Sequence, residues 1–287
     1  MEFWQIDVFA EGAFRGNALA VFPDAAGLSD DQMQAIASEM NLSETSFVTG
    51  ITPNGYSVRI FTPRSELPFA GHPTIGTAWV LRELGRIEGT EIEQTSPAGP
   101  TKVTFSDGKV WFERSGEVSE DLRSKTPQIN ERLAKALSIE APAIGLEPRE
   151  LGRSVDRLEA AKTDIGIEQV MVPLRDAEAL ARCRPVAALL EELGMPGVYC
   201  FTAVGAGRLQ ARGFYPGLGI AEDPATGSAA AGLGVYLADR TGALEAEVAQ
   251  GVEMGRPSRI YLRASGNSVQ IGGTCERVVE GKLLSLP

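Results

Sequence analysis

Two short segments of this sequence carry the residue types for acid–base chemistry beside a bound anion. The first reads Gly71-His72-Pro73-Thr74-Ile75-Gly76-Thr77-Ala78 and the second Glu222-Asp223-Pro224-Ala225-Thr226-Gly227-Ser228-Ala229. Each runs from a titratable residue through a proline, two further residues, a glycine and a hydroxyl residue to an alanine. The two lie 151 positions apart in a chain of 287 residues, about half its length. Proline is favoured at the first helical position, where its missing N–H is no loss. His72 and Asp223 are then expected at the N-caps. The free backbone N–H groups of a helix start attract negative charge, and Gly76 and Gly227 give a ligand or another backbone room to approach. Two such helix starts facing each other would make a site for a small carboxylate, with a titratable group at each lip. The plain alternative for either segment alone is a capped helix start. A plain cap, however, requires neither the glycine nor the hydroxyl residue at matching places.

Glu44, within Asn41-Leu42-Ser43-Glu44-Thr45-Ser46-Phe47, is a third candidate. It falls between the expected end of one helix and the start of a strand. As a solvated loop glutamate it would do nothing in particular. In a dry cleft its pKa rises, which makes it an acid and base usable near neutral pH. Loops are also where catalytic groups concentrate. The sequence leaves both readings open.

The elements that must position these residues can be read from pattern. No charged residue occurs from Pro73 to Leu81 or from Pro224 to Ala238. Helices that are apolar all round are buried, and both stretches are too short to span a bilayer. The second is rich in glycine and alanine, which suggests close backbone approach. Around them the pattern is mostly β. Strands are expected at Phe3–Phe9, Ala18–Phe22, Thr45–Val48, Tyr56–Phe61, Ile92–Thr95, Lys102–Phe105 and Val110–Glu113, with Asp107-Gly108 as a hairpin turn. More follow at Val170–Pro173, Val198–Ala203, Leu209–Tyr215, Arg259–Arg263, Ser268–Ile271 and Cys275–Glu280. Ser29 and Gln32 form a capping box for a helix to about Met40, and further helices are expected near Asn130–Leu137 and Val186–Leu193. Many strands, few helices and no βαβ rhythm indicate an α+β fold with mainly antiparallel sheets. A single repeat of this period indicates a duplicated domain. The polar stretch Ser119–Thr126 reads as the linker, giving an N-terminal domain over 1–118 and a C-terminal domain over 127–274.

Composition narrows the function. The 27 Lys and Arg against 38 Asp and Glu leave a net charge of −11, which argues against a general nucleic-acid binder. One histidine excludes multi-histidine metal sites, so no metal ligand is assigned. Three cysteines without CxxC spacing suggest reduced packing residues in a reducing, cytoplasmic setting. The first residues do not read as a signal peptide, and no run of 18 apolar residues suggests a membrane span. Neither GxGxxG nor GxxxxGK[ST] occurs, which disfavours a nucleotide enzyme.

The sequence resembles the phenazine-biosynthesis PhzF-like family, relatives of diaminopimelate epimerase in fold. The matching stretches are Phe3–Phe9 with Gly16-Asn17-Ala18, Leu42-Ser43-Glu44-Thr45, Arg59-Ile60-Phe61-Thr62-Pro63 and Glu66 to Thr74. Later come Arg212 with Phe214, Glu222 to Ala229, and Gln250-Gly251 with Gly255-Arg256-Pro257-Ser258. Ser115 to Asp164 matches only loosely. The resemblance implies two similar domains, each a barrel-like sheet around a central helix, with the active site in the cleft between. It also implies that the last strand, about 275–287, returns to the first domain. It further implies a homodimer without cofactor and an isomerase of the dihydro-hydroxyanthranilate type. In that pattern Glu44 moves the proton and His72 and Asp223 position substrate and assist. Gly71, Pro73, Thr74, Thr226, Gly227 and Ser228 fall in the part that holds the substrate. Diaminopimelate epimerase uses paired cysteines near these helix starts, whereas Cys183, Cys200 and Cys275 lie far from both motifs in sequence, so two-thiol racemisation is not expected. Two other functions stay in view. One is a non-catalytic carboxylate binder on the same fold. The other is a hydrolase with Ser228 as nucleophile and His72 as base, although the GxSxG elbow is missing.

Overall fold

The computed structural model describes residues 1–122, 128–147 and 156–287. The chain forms two units, Met1–Arg114 with Ile271–Pro287, and Ser115–Gln270. Both are α+β with mostly antiparallel pairing.

The first unit holds strands β1 (Glu2–Val8), β2 (Asn17–Phe22), β3 (Glu44–Thr52), β4 (Gly55–Phe61), β5 (Glu66–Leu67), β6 (Glu91–Ser96), β7 (Gly99–Ser106) and β8 (Lys109–Ser115), the last ending one residue past the boundary. Helices α1 (Asp30–Met40) and α2 (Gly71–Glu83) complete it, with the C-terminal strand β18 (Cys275–Lys282). β18 pairs antiparallel with β1, and β1 with β2. β2 and β3 run parallel across α1, and β3–β4 and β4–β5 are antiparallel. β4 and β6 run parallel across α2, and β6–β7–β8 is an antiparallel meander. Asp107 and Gly108 both take positive φ, as a two-residue hairpin turn of this kind requires. Ser29 and Gln32 close the expected capping box on α1.

The second unit repeats this order. It contains β9 (Glu117–Asp121), β10 (Ala161–Asp164), β11 (Glu168–Pro173), β12 (Val198–Gly205), β13 (Arg208–Tyr215), β14 (Ile220–Asp223), β15 (Leu244–Gln250) and β16 (Ser258–Ser265). Strand β17 (Ser268–Gly273) carries the chain back to the first unit. The helices are α3 (Gln128–Leu137), α4 (Ala177–Arg182), α5 (Ala187–Glu192) and α6 (Gly227–Thr241). β9 pairs with β10 as β18 does with β1, and β10–β11 is antiparallel. β11 and β12 run parallel across α4 and α5, and β12–β13 and β13–β14 are antiparallel. β13 and β15 run parallel across α6, and β15–β16 is antiparallel.

The uncharged stretches are the central helices. α2 packs against β1, β2, β3, β7 and β18, and α6 against β9, β10, β11, β15 and β16, so each unit's strands wrap around its helix. Glycine makes this approach possible. A Cβ on Gly76 would lie 2.6–2.9 Å from side-chain atoms of Leu19, Val8 and Ile6. On Gly232 it would lie 2.6 Å from Thr163 Oγ1, and on Gly234 2.6 Å from Val269 Cγ2. Gly76 thus serves helix-to-strand packing: of the two expected uses of that position, it is the close approach of the surrounding strands that is found, not room for a ligand.

The expected linker is also corrected. Residues 119–121 belong to β9, whose polar side chains sit on a strand paired with β10, and Leu122 behind it is buried. The rest of that stretch, 123–126, lies outside the described residues.

Candidate active site

In the first unit, sheet register and helix period bring three polar groups together. Side chains two apart on a strand share a face, as do residues directly opposite on neighbouring strands. Val8 pairs with Asn17, Ile6 with Leu19, and Leu19 with Glu44. Ile6, Val8 and Leu19 are the side chains that meet Gly76, so Asn17 and Glu44 occupy the same inner face at its end. His72 lies four residues before Gly76 and therefore on the same face of α2. His72 Nε2 lies 3.4 Å from Glu44 Oε2, and its Nδ1 lies 3.4 Å from Asn17 Nδ2. Glu44 is 9% exposed and His72 3%, so the dry alternative for Glu44 is the one realised.

The state of His72 follows from these contacts. The nearby carboxylate favours a proton on the ring and burial opposes it. Burial is the larger effect and pulls the imidazole down to about 3, so the ring is neutral at pH 7. An amide nitrogen only donates, so Nδ1 is the acceptor toward Asn17 and the ring proton sits on Nε2, on the side of Glu44.

The helix starts differ from expectation. Ala70, not His72, is the N-cap of α2, and Thr226, not Asp223, is that of α6. The first four N–H groups of a helix all lack internal partners, so Pro73 loses nothing at the third position. Asp223 instead ends β14, opposite Gly213. Neither helix has a side-chain cap, which leaves N–H groups at Gly71 and His72 and at Gly227 and Ser228 directed out of each end. Pro73 is buried and Ser228 half-buried in these first turns. The Thr74 hydroxyl is committed internally. It donates to Ala70 O at 2.9 Å and accepts from Gln94 Nε2 at 2.9 Å.

In the second unit the Thr226 hydroxyl donates to Asp223 Oδ2 at 2.5 Å. Asp223 is buried, and β14 is pinned to β13 by a bidentate pair, Arg212 Nε and Nη2 on the two oxygens of Glu222, each at 2.8 Å. The same brace occurs in the first unit, where Arg59 Nε and Nη2 reach the Glu66 oxygens at 2.7 Å. Each arginine also stacks on a phenylalanine two residues on, Phe61 or Phe214. These braces and Asn17 were not assigned roles from sequence. The signal was available, since Arg-x-Phe recurs 153 positions apart, close to the offset of the helix-start motif.

Among the described residues no group of three or more His, Cys, Asp and Glu side chains is placed to hold a metal ion, and no helix is long and apolar enough to cross a membrane.

The family model described as phenazine biosynthesis-like protein matches residues 6–281. The chain belongs to that family. It is 36% identical over 287 residues to the trans-2,3-dihydro-3-hydroxyanthranilate isomerase of Pseudomonas aeruginosa, covering 96% of this chain and 97% of that protein. A predicted epimerase from Pseudomonas aeruginosa superimposes with a TM-score of 0.79 at 30% identity, over 99% of both chains. The PhzF-family protein of Bacillus anthracis superimposes with a TM-score of 0.82 at 23% identity, again over 99% of both, which shows the shared fold. The chain is an isomerase of this family. That sets aside the carboxylate binder and the Ser228 hydrolase.

Proposed function

We propose that the protein moves a proton between carbon atoms of a small cyclic carboxylate of the dihydro-hydroxyanthranilate kind. The observation that carries this reading is the buried Glu44–His72 pair at the uncapped start of α2. The Glu44 carboxylate takes a proton from one carbon and returns it to another, so substrate and product have the same atoms and the base is regenerated. His72, neutral and with its proton on Nε2, faces Glu44 and holds the carboxyl group in register. A positioned base of this kind contributes typically ~10²–10⁴-fold, with electrostatic stabilisation supplying more. Asp223, aligned by Thr226, positions a polar group of the substrate. The N–H groups at Gly71, His72, Gly227 and Ser228 are suited to a carboxylate. Pro73, Thr74 and Thr226 shape these helix starts, the two threonines through internal hydrogen bonds.

The family resemblance further supports a homodimer that needs neither metal nor organic cofactor and does not act on nucleic acid. The three free cysteines suit a reducing cytoplasm.

The direct test is turnover of trans-2,3-dihydro-3-hydroxyanthranilate by the wild type, Glu44→Gln and Ser228→Ala. The proposal expects a loss of ~10²-fold or more in Glu44→Gln and persisting turnover in Ser228→Ala. The opposite ranking contradicts it.

A further inference from the structure

Gln250-Gly251 and Gly255-Arg256-Pro257-Ser258 stand out in the sequence, and the proposed chemistry leaves both without a role. They form the end of β15 and its connection into β16, and they grip the segment that carries Asp223. Gln250 Nε2 donates to Asp223 O at 2.8 Å. Ser258 Oγ lies 3.1 Å from Pro224 O and from Gln250 O. Gly251 has a φ of +72°, and a Cβ there would lie 2.6 Å from Pro224 O and 2.4 Å from Arg256 O. Only glycine fits that position.

The Gln250 side chain is fully buried and all of its amide positions are used. Oε1 accepts from Tyr199 Oη at 2.9 Å and from Thr226 N at 3.1 Å. Nε2 donates to Asp223 O and to Thr226 Oγ1, the latter at 2.9 Å. The backbone fixes the orientation of this amide, because Thr226 N–H only donates and Asp223 C=O only accepts. With Nε2 donating to it, the Thr226 hydroxyl directs its own proton to Asp223 Oδ2.

We propose that Gln250 is a positioning residue for the isomerase reaction, committing the Thr226 hydroxyl proton to Asp223 and so holding Asp223 as an anionic acceptor. This rests on the reading of Asp223 as a substrate-positioning group.

The first unit supplies an internal control. There Tyr56 Oη donates to Gln94 Oε1 at 2.8 Å, Gln94 Nε2 donates to Thr74 Oγ1, and Thr74 donates to Ala70 O. The same Tyr–Gln–Thr relay ends on a backbone carbonyl, which is an acceptor at every pH. In the second unit it ends on a carboxylate, whose proton affinity depends on the donor it receives.

Among the other titratable groups near Asp223, Tyr199 on β12 gives its hydroxyl proton to Gln250 Oε1, and Tyr199 and Tyr215 on β13 are both pushed up by burial and stay neutral, so neither adds a charge beside Asp223. Arg212 on β13 is engaged by Glu222, with Glu253 Oε2 3.9 Å away. The first turn of α6 contains no acidic residue.

The test follows the Asp223 carboxyl carbon by NMR during a pH titration of the full chain labelled at the aspartate carboxyl groups. Asp223→Asn identifies the signal. Thr226→Val and Gln250→Met should each raise the Asp223 midpoint by about one pH unit or more, because the hydroxyl proton is no longer committed to the charged form and neither change adds a charge. Thr226→Ser should restore the wild-type midpoint, and Gln94→Met should leave it in place. Should Thr226→Val fail to fold, Gln250→Met, which keeps the side chain unbranched and of similar size, carries the comparison. An unmoved midpoint in folded Gln250→Met overturns the inference. Wild-type turnover of trans-2,3-dihydro-3-hydroxyanthranilate by Asp223→Asn overturns instead the reading on which it rests, while the titration result stands by itself.

Discussion

The two arginine–glutamate braces have the same bidentate geometry and differ in burial and in what else holds the arginine, since Arg59 Nη1 also reaches the Asp30 carboxylate. The Arg212 side chain is 5% exposed and Glu222 17%, whereas Arg59 and Glu66 are 24% and 30% exposed. Burial lowers the proton affinity of the Arg212 guanidinium, and its hydrogen bonds to Glu222 together with the charges of Glu222 and Glu253 more than offset that. Replacing Glu222 by alanine leaves a buried cation without its carboxylate. Arg212 Nη1 keeps the carbonyls of Leu180, Ala181 and Cys183, and the Glu253 carboxylate stays 3.9 Å from Nε, beyond hydrogen-bond distance. Breaking a buried pair in this way costs about 3–5 kcal/mol. Exposed pairs contribute ~0.2–1 kcal/mol, so Glu66→Ala should cost about 1 kcal/mol or less. At roughly 2–4 °C per kcal/mol, Glu222→Ala should lower the melting midpoint by roughly 6–20 °C and Glu66→Ala by no more than about 4 °C. Calorimetry of both single variants and of Arg212→Met with Glu222→Leu is the assay. The double variant should recover part of the loss, because an apolar pair leaves no buried charge. Equal shifts from the two single variants would refute the argument that burial decides.

Two further outcomes follow from the first unit. Gly76→Ala places a Cβ 2.6–2.9 Å from three core side chains, an overpacking cost of ~1–3 kcal/mol against a helix-propensity gain of ~1 kcal/mol. Net destabilisation in urea together with reduced turnover is expected, since His72 sits one turn away, and a more stable variant would contradict the packing. His72 is neutral in the native state down to about 3, while an unfolded histidine takes up its proton near 6.5. The unfolded state therefore binds more protons in that window, and stability falls as pH is lowered from about 6.5 toward 3. Urea midpoints at pH 7 and pH 4.5 should differ less in His72→Gln than in the wild type.

Much of the fold was legible because local chemistry and tertiary structure agree. Ile6 and Val8 alternate inward on β1, Ser29 and Gln32 close a capping box, and the uncharged stretches are the central helices. β15 was missed although Ala246, Val248 and Gln250 are its buried positions, because alanine and glutamine give a weak strand signal. β5 and β14 are short and exist only through their pairing with β4 and β13. At the candidate site, the sequence named Glu44, His72 and Asp223. It did not show that Glu44 is buried, nor which residues hold the histidine and the aspartate. Asn17 reaches His72 only through sheet register, and Gln250 meets Thr226 only because β13 and β15 run parallel around α6.

The central claim is that Glu44 moves a carbon-bound proton. Wild type and Glu44→Gln should be incubated in D₂O with trans-2,3-dihydro-3-hydroxyanthranilate and a panel of small cyclic and amino carboxylates, and the mass of each recovered compound followed. Deuterium at carbon in the substrate or its isomer with wild type, and none with Glu44→Gln, is the predicted result. Incorporation at the wild-type rate by Glu44→Gln would contradict it.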